Sequence, residues 1–447
     1  MNLWHIAWNY LWNRKLTTSL TIVSVALGVA LIYAVLTLYD ETKKRFTEEG
    51  QAYDMVVGGK DGSPLQLVLS AVYFMDKPTG NIHYADYEWL RNHEDVAEAY
   101  PVMLGDTYRG FRIVGTVPEF FDQTWISSAA RGTMRKPFKV GRGRCFERSM
   151  EAVLGSLVAE QTGRKVGDTF VGTHGFIEGL GHKHHEFPYT VVGILEPSSS
   201  PMDRVVFCDL TSVWEIHADH DHAEDEASKT EHHGNEENGH GGDNHIAESN
   251  QDETSDHEGE QDEDEDLEVT AVLVRLKMPG ARFGFKDEAN TELNAMTAIP
   301  AQEVAKLYRQ FLAPLQTVLL AVGFLVVVIS GLSIMIGLYL SIIQRKRDMA
   351  IMRALGASAY EILGSVLIEA FWVTLLGIGA GYLIGCGVSE CIGLALTKRY
   401  GLTIGVVAVN VKELTAFSAI ALVGIVAGIV PAWQAYRTDV ARDLAEL

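Results

Sequence analysis

Four long stretches of this chain carry no charged side chain: Leu16–Tyr39, Phe311–Ile343, Ala370–Ser389 and Leu414–Tyr436. A bilayer-spanning helix needs about 20 mostly apolar residues, and each stretch is that long. Backbone groups in hydrocarbon can bond only to one another, so all four are read as membrane helices. The first exceeds the apolar core of a signal peptide, about 7–15 residues, and no small-x-small site follows it, so a retained helix is expected.

Lys/Arg placement sets the orientation. Arg14 and Lys15 precede helix 1, Arg345, Lys346, Arg347 and Arg353 follow helix 2, and Arg437 and Arg442 follow helix 4. Four crossings put these clusters on one side, so both termini are expected to be cytoplasmic, with 40–310 outside. Lys43, Lys44 and Arg45 fall on the other side, diluted by Asp40, Glu41, Glu48 and Glu49. Helix 2 would span roughly 50 Å against a hydrocarbon core of about 30 Å. It either tilts, projects as a stalk or ends in a few residues of loop, and Pro314 permits a bend. Gly377, Gly381 and Gly385 in helix 3, and Gly424 and Gly428 in helix 4, recur at four-residue spacing. Small residues so placed let helices approach closely in lipid, and these five are read as packing positions. Glu369 sits just inside helix 3, where an acid is either functional or simply snorkels or pairs with a nearby arginine.

Residues 50–215 read as mixed α/β, with strands over Tyr53–Gly59, Phe111–Gly115 and Tyr189–Leu195 and a helix over Ser149–Thr162. A strand returns at Glu268–Leu276, and 285–309 read as helical. Gly58-Gly59-Lys60 lacks the spacing of a phosphate loop, and no Walker sequence, HExxH or serine nucleophile elbow occurs. The Gly377–Gly381 run lies inside a span and is no dinucleotide fingerprint. No catalytic trio can be named, so the chain is read as not itself an enzyme.

Net charge is −21, and the whole excess belongs to residues 215–268, where 22 acids accompany a single Lys229. The remainder is neutral, which argues against nucleic-acid binding. Eight histidines lie in the 217–266 insertion: His217, His220, His222, His232, His233, His240, His245 and His257. Its low hydrophobicity and high charge lead one to expect disorder. Its imidazoles could collect zinc, copper or nickel at several weak sites, or the tract could be a solvated acidic loop. His182, His184 and His185 form a second cluster. Without a CxxC, neither a zinc ribbon nor a thioredoxin-like site is supported, and a Cys145–Cys208 disulfide stays open.

Four stretches resemble the MacB/FtsX-like permeases, the membrane subunits of mechanotransmitting (type VII) ABC transporters. They are Leu3–Leu31, Gln344–Ser358 (QRKRDMAIMRALGAS), Gly428–Arg437 (GIVPAWQAYR), and Val153–Ser156 through Pro201–Arg204. One departure is Asp348-Met349, where the family more often has an acid followed by Ile. The resemblance implies a four-helix membrane protein with a large α/β periplasmic core domain. It assigns 1–39 to the amphipathic start and helix 1, 40–310 to the core domain, and 311–447 to the permease domain. A coupling helix at 345–357 would engage an ATPase through Arg345, Arg347, Met349, Ile351, Met352, Arg353, Leu355 and Gly356. From the residues alone, the same basic amphipathic segment could lie on the anionic inner leaflet. Its stripe of Met349, Met352 and Leu355 is expected to lack any protein core of its own.

The implied protein sits in the inner membrane and binds no cofactor directly apart from a possible link to zinc; ATP is held by a partner. Because no ATPase sequence occurs here, the arrangement looks like LolC/LolE, with a separate ATPase subunit. A homodimer or a heterodimer with a related permease and a periplasmic or outer-membrane adaptor are the further partners implied. The expected function is transport or extrusion. The alternative is an FtsX-like signalling subunit that activates an extracytoplasmic partner.

Overall fold

The computed structural model describes residues 3–127, 133–135, 138–175, 183–217, 267–401 and 410–437. They form two units, one of residues 47–304 and one of 1–46 with 305–447. The chain opens with α1 (Leu3–Asn13) and α2 (Lys15–Gly50), the second continuing well past Tyr39. In α1, Trp4, Trp8 and Trp12 recur once per turn and are exposed, and the Trp4 and Trp8 rings also meet Trp372 at 6.0 and 5.1 Å. Indole rings of this kind favour the membrane–water interface.

The 47–304 unit is α/β. Its elements run β1 (Met55–Gly58), α3 (Pro64–Ala71), β2 (Ile82–His83), α4 (Tyr84–Asn92), β3 (Val96–Tyr108) and β4 (Phe111–Thr116). Next come β5 (Trp125–Ser127), β6 (Thr133–Arg135), β7 (Val140–Gly143), β8 (Glu151–Leu154), α5 (Ser156–Thr162), β9 (Thr169–His174) and β10 (Lys183–Leu195). The unit closes with β11 (Val205–Asp209), α6 (210–217), β12 (Glu268–Val269), β13 (Ala271–Leu276), α7 (Arg282–Glu292), β14 (Met296–Ala298) and α8 (Pro300–Leu307), which runs just past it.

Strands β14, β1, β13 and β3 form an antiparallel run, and β3 continues into β4, β11, β8 and β10. Strand β9 pairs with both β10 and β3, so six strands close into a ring. The long β3 serves both halves, pairing with β13 through Val96–Val102 and with β4 and β9 through Met103–Tyr108. Apolar side chains such as Ile113, Leu154, Phe170, Tyr189, Val191 and Val206 fill the core.

Two segments differ from the sequence reading. Ser149–Thr162 is divided into β8 and α5, because Ala152, Val153 and Leu154 are buried between β10 and β11 and Gly155 separates strand from helix. Residues 285–309 are interrupted by β14, which adds to the edge of β1. Cys145 and Cys208 are both free thiols.

A bidentate ion pair fastens the start of β8. Arg144 reaches Glu151 at 2.5 and 2.7 Å, and the Glu147 amide donates to the same carboxylate at 2.9 Å. The guanidinium holds the Glu151 carboxyl at about 2, down from 4.5. A depressed carboxylate stabilises the fold above its unfolded pKa, and that stability is lost as pH falls from 4.5 towards 2. Arg144 is 45% exposed, so solvent screening keeps the effect small. Arg144→Met should therefore lower the thermal stability of the full chain at neutral pH, and the difference from wild type should shrink through this acid window. A difference constant down to pH 2 would remove the ion pair as its source.

The chain leaves the α/β unit through α8, a π-helical turn (Tyr308–Leu312) and α9 (Ala313–Gln344). Pro314 has no N–H for the preceding turn, and the widened turn lies directly before it. Then follow α10 (Lys346–Ala354), α11 (Ala359–Tyr400) and α12 (Val411–Tyr436). Among the described residues, four helical spans, in α2, α8–α9, α11 and α12, are long and apolar enough to cross a membrane.

Candidate functional site

Helix α10 is defined by how its ends are made. Arg345 leaves helical geometry between α9 and α10. At the far end Gly356 adopts φ +102°, the Gly356 amide donates to the Arg353 carbonyl and the Ala357 amide to the Met352 carbonyl, both at 3.0 Å. This paired closure satisfies the last carbonyls and needs a left-handed residue. Two residues on, Ser358 and Glu361 form a capping box that starts α11.

The sequence reading gave the Met349, Met352, Leu355 stripe no protein core to enter. The structure corrects this. Met349 and Ala350 are buried, and Met349 joins a cluster with Leu11, Ile342, Ile362 and Val366. Met352 is half-buried against that cluster. Leu355 is 84% exposed, and Ile351 and Arg347 are exposed with it, each one turn from the next. Arg353 is half-buried and Gly356 exposed. The helix thus has one side fastened to the bundle and another, basic and apolar, left open.

Arg345 points inward. Its guanidinium lies 2.6 Å from Glu369, donates to the Ser341 carbonyl at 3.3 Å and to the Ser341 hydroxyl, and sits 4.0 Å from the centre of the Tyr10 ring. Both charged groups are buried. Glu369 is therefore paired rather than snorkelled, and Arg345 pins the α9–α10 corner to α11 and α1. It does not belong to the outward face.

The glycines lie at helix contacts. A Cβ added to Gly377 would stand 2.6 Å from Val25 Cβ, one on Gly381 2.6 Å from the Ala26 carbonyl oxygen, and one on Gly385 2.8 Å from the Tyr33 ring. These three face α2. Gly424 and Gly428 face α11 at Thr374 and Ala370.

Of the eight tract histidines, His217 alone lies among the described residues, and it belongs to the folded domain. The reason is the spacing of Leu210, Val213 and Ile216, all buried, which holds α6 against the core through His217. His220, His222, His232, His233, His240, His245, His257 and also His182 lie outside the described residues. His184 and His185 lie on β10.

His217 meets two residues that sequence reasoning did not single out. Asp106 and His174 are directly opposed where β3 pairs with β9, with the Asp106 carboxylate 3.3 Å from His174 Nδ1. The ligand atoms of Asp106, His174 and His217 all lie within 4.8 Å of one another. Burial, with the Asp106 charge adding to it, pushes the thiol of the nearby Cys208 up.

A model described as the MacB-like periplasmic core domain matches residues 18–232, and one described as the FtsX-like permease C-terminal matches 320–440. The chain belongs to the MacB/FtsX-like family of ABC transporter permeases. This permease is similar to the macrolide export ATP-binding/permease protein MacB of Syntrophobacter fumaroxidans, 32% identical over 38% of this chain and 22% of that one. It is also similar to the MacB of Nitrosomonas europaea, 22% identical over 97% of this chain and 57% of that one. The permease thus spans at most 57% of the length of these two relatives. The crystal structure of the periplasmic region of MacB from Actinobacillus actinomycetemcomitans matches 57% of this chain and 94% of its own, at 9% identity and a TM-score of 0.31.

Proposed function

We propose that the permease converts the closing motion of a separate ATPase into movement of its 47–304 domain, and that this drives extrusion of a substrate. The observation that carries the reading is the two-sided α10. Its inner side, Met349 and Ala350, is locked into the helical unit, and its outer side presents Arg347, Ile351 and Leu355. An exposed apolar stripe on a short helix, fringed by arginine, suits a groove on a partner protein. No phosphate-loop sequence occurs in the 447 residues, so the nucleotide site is assigned outside them.

Orientation follows the arginines and lysines. Arg14, Lys15, Arg345, Lys346, Arg347 and Arg437 support a cytoplasmic position for α10 and for both ends of the helical unit. The 47–304 domain then lies in the periplasm. The relatives named as macrolide export proteins favour outward transport over signalling.

The test is a tagged permease purified from its own membranes with the ATP hydrolysis that accompanies it. Leu355→Asp should lower that hydrolysis at least tenfold while the amount of inserted protein stays the same, because Leu355 is exposed and supports no core. Equal activity in the variant and wild type would end the docking assignment, and so would wild-type preparations that carry no ATPase. Met352→Asp is a poorer probe, since its half-buried side chain also contacts the bundle.

A further inference from the structure

We propose that Asp106, His174 and His217 bind one divalent transition-metal ion, zinc first among them, on the folded part of the outer domain. The assignment does not depend on the ATPase reading. The donor set is one carboxylate and two imidazoles. Calcium and magnesium prefer all-oxygen sites, whereas imidazole suits zinc, copper, nickel and iron. Three protein ligands leave a fourth position for water or an exchanging ligand.

The distances fit. A tetrahedral site with bonds of about 2.0–2.1 Å has ligand–ligand edges of roughly 3.3 Å. The Asp106–His174 edge is already 3.3 Å. The remaining ligand atoms are no more than 4.8 Å apart, so an inward swing of His217 by at most roughly 1.5 Å completes the site. His217 is the last described residue of α6.

The fold brings the three together by separate devices. The β3–β4 pairing shifts register between Leu104 and Thr107, and Asp106 sits on that irregularity. Bulges of this kind re-aim a side chain. Pairing with β9 then sets His174 opposite it, and the turn beyond is held by the Gly175 amide donating to the Gly105 carbonyl at 3.1 Å. Gly105 makes room for the third ligand, because a Cβ there would stand 2.7 Å from His217 Nε2. A simple ion pair needs one imidazole on the carboxylate. Here two imidazole rings, 5.3 Å apart, converge on a carboxylate that is 1% exposed.

The experiment titrates zinc chloride into the detergent-purified full chain against a chromophoric chelator, and repeats it on a chain lacking 218–266. The tightest zinc should bind at one per chain and survive the deletion. His174→Ala and His217→Ala should each weaken it by more than about 100-fold, beyond the loss usual for an outer-shell change. His174 is 46% exposed, so its removal leaves the core intact. Cobalt(II) in place of zinc should give a tetrahedral absorption spectrum that both variants lack. Zinc affinity unchanged by either substitution would overturn the site. So would loss of all tight zinc with the deletion, or a wild-type chain that holds none. If the deleted chain does not fold, the two substitutions in the full chain decide alone.

Discussion

Glu369→Ala should destabilise the helical unit by about 3–5 kcal/mol, the usual cost of leaving one partner of a buried ion pair behind. The group left behind is Arg345, which is 9% exposed and enclosed by Ser341, Tyr10 and Glu369. A guanidinium cannot escape by losing its proton, so it must drag water in or move out. Either response opens the α9–α10 corner where Met349 is seated. Replacing both charges, as in Arg345→Met with Glu369→Leu, removes the stranded cation and should recover most of the loss. Denaturant titration of wild type, Arg345→Met, Glu369→Leu and the double variant in mixed micelles gives the coupling directly. A single Glu369→Ala loss below about 1 kcal/mol would mean that the pair is effectively solvated.

Gly381→Ile should cost on the order of 3 kcal/mol, at the upper end of ordinary overpacking. The added Cβ would stand 2.6 Å from a backbone oxygen, that of Ala26, and 2.6 Å from Val29 Cβ. Backbone cannot rotate away as a flexible side chain can, so α2 and α11 would have to separate along their shared face. The sequence supplies its own control two residues earlier. Gly379 is on the same helix at nearly the same depth, and a Cβ there meets nothing within 4 Å. Gly379→Ile should be neutral or slightly stabilising, because glycine is a poor helix former. Equal losses at the two positions would assign the effect to helix propensity or lipid contact instead of packing.

The spans were legible because exclusion of charge is a local property of the chain. Their ends were not. Helix α11 begins at Ala359, capped by Ser358, and runs to Tyr400 before Gly401 turns it left-handed, although Glu390 had ended the uncharged reading at Ser389. Strand β3 escaped notice because Glu98, Pro101, Gly105 and Asp106 break its alternation, and pairing on both sides supplies what the local pattern lacks. The amphipathic character of α10 was visible, but the side it turns inward depends on Leu11 and Ile362, far away in sequence. Asp106 and His174 are separated by 68 positions and become neighbours only where the strand ring closes. A histidine count points to the tract, and no count finds a carboxylate across a sheet seam.

The described residues that flank the acidic tract are pinned side by side. The Trp214 indole donates to the Glu268 carbonyl at 2.7 Å, and the Tyr84 amide to the Leu267 carbonyl at 2.7 Å. Closing a longer loop between fixed points costs little, about 0.6 kcal/mol for each doubling of its length. Insertions and deletions between these two anchors are therefore nearly invisible to the stability of the domain. Selection can lengthen, shorten or recompose this segment on its chemistry alone, while the strand ring that carries it stays the same.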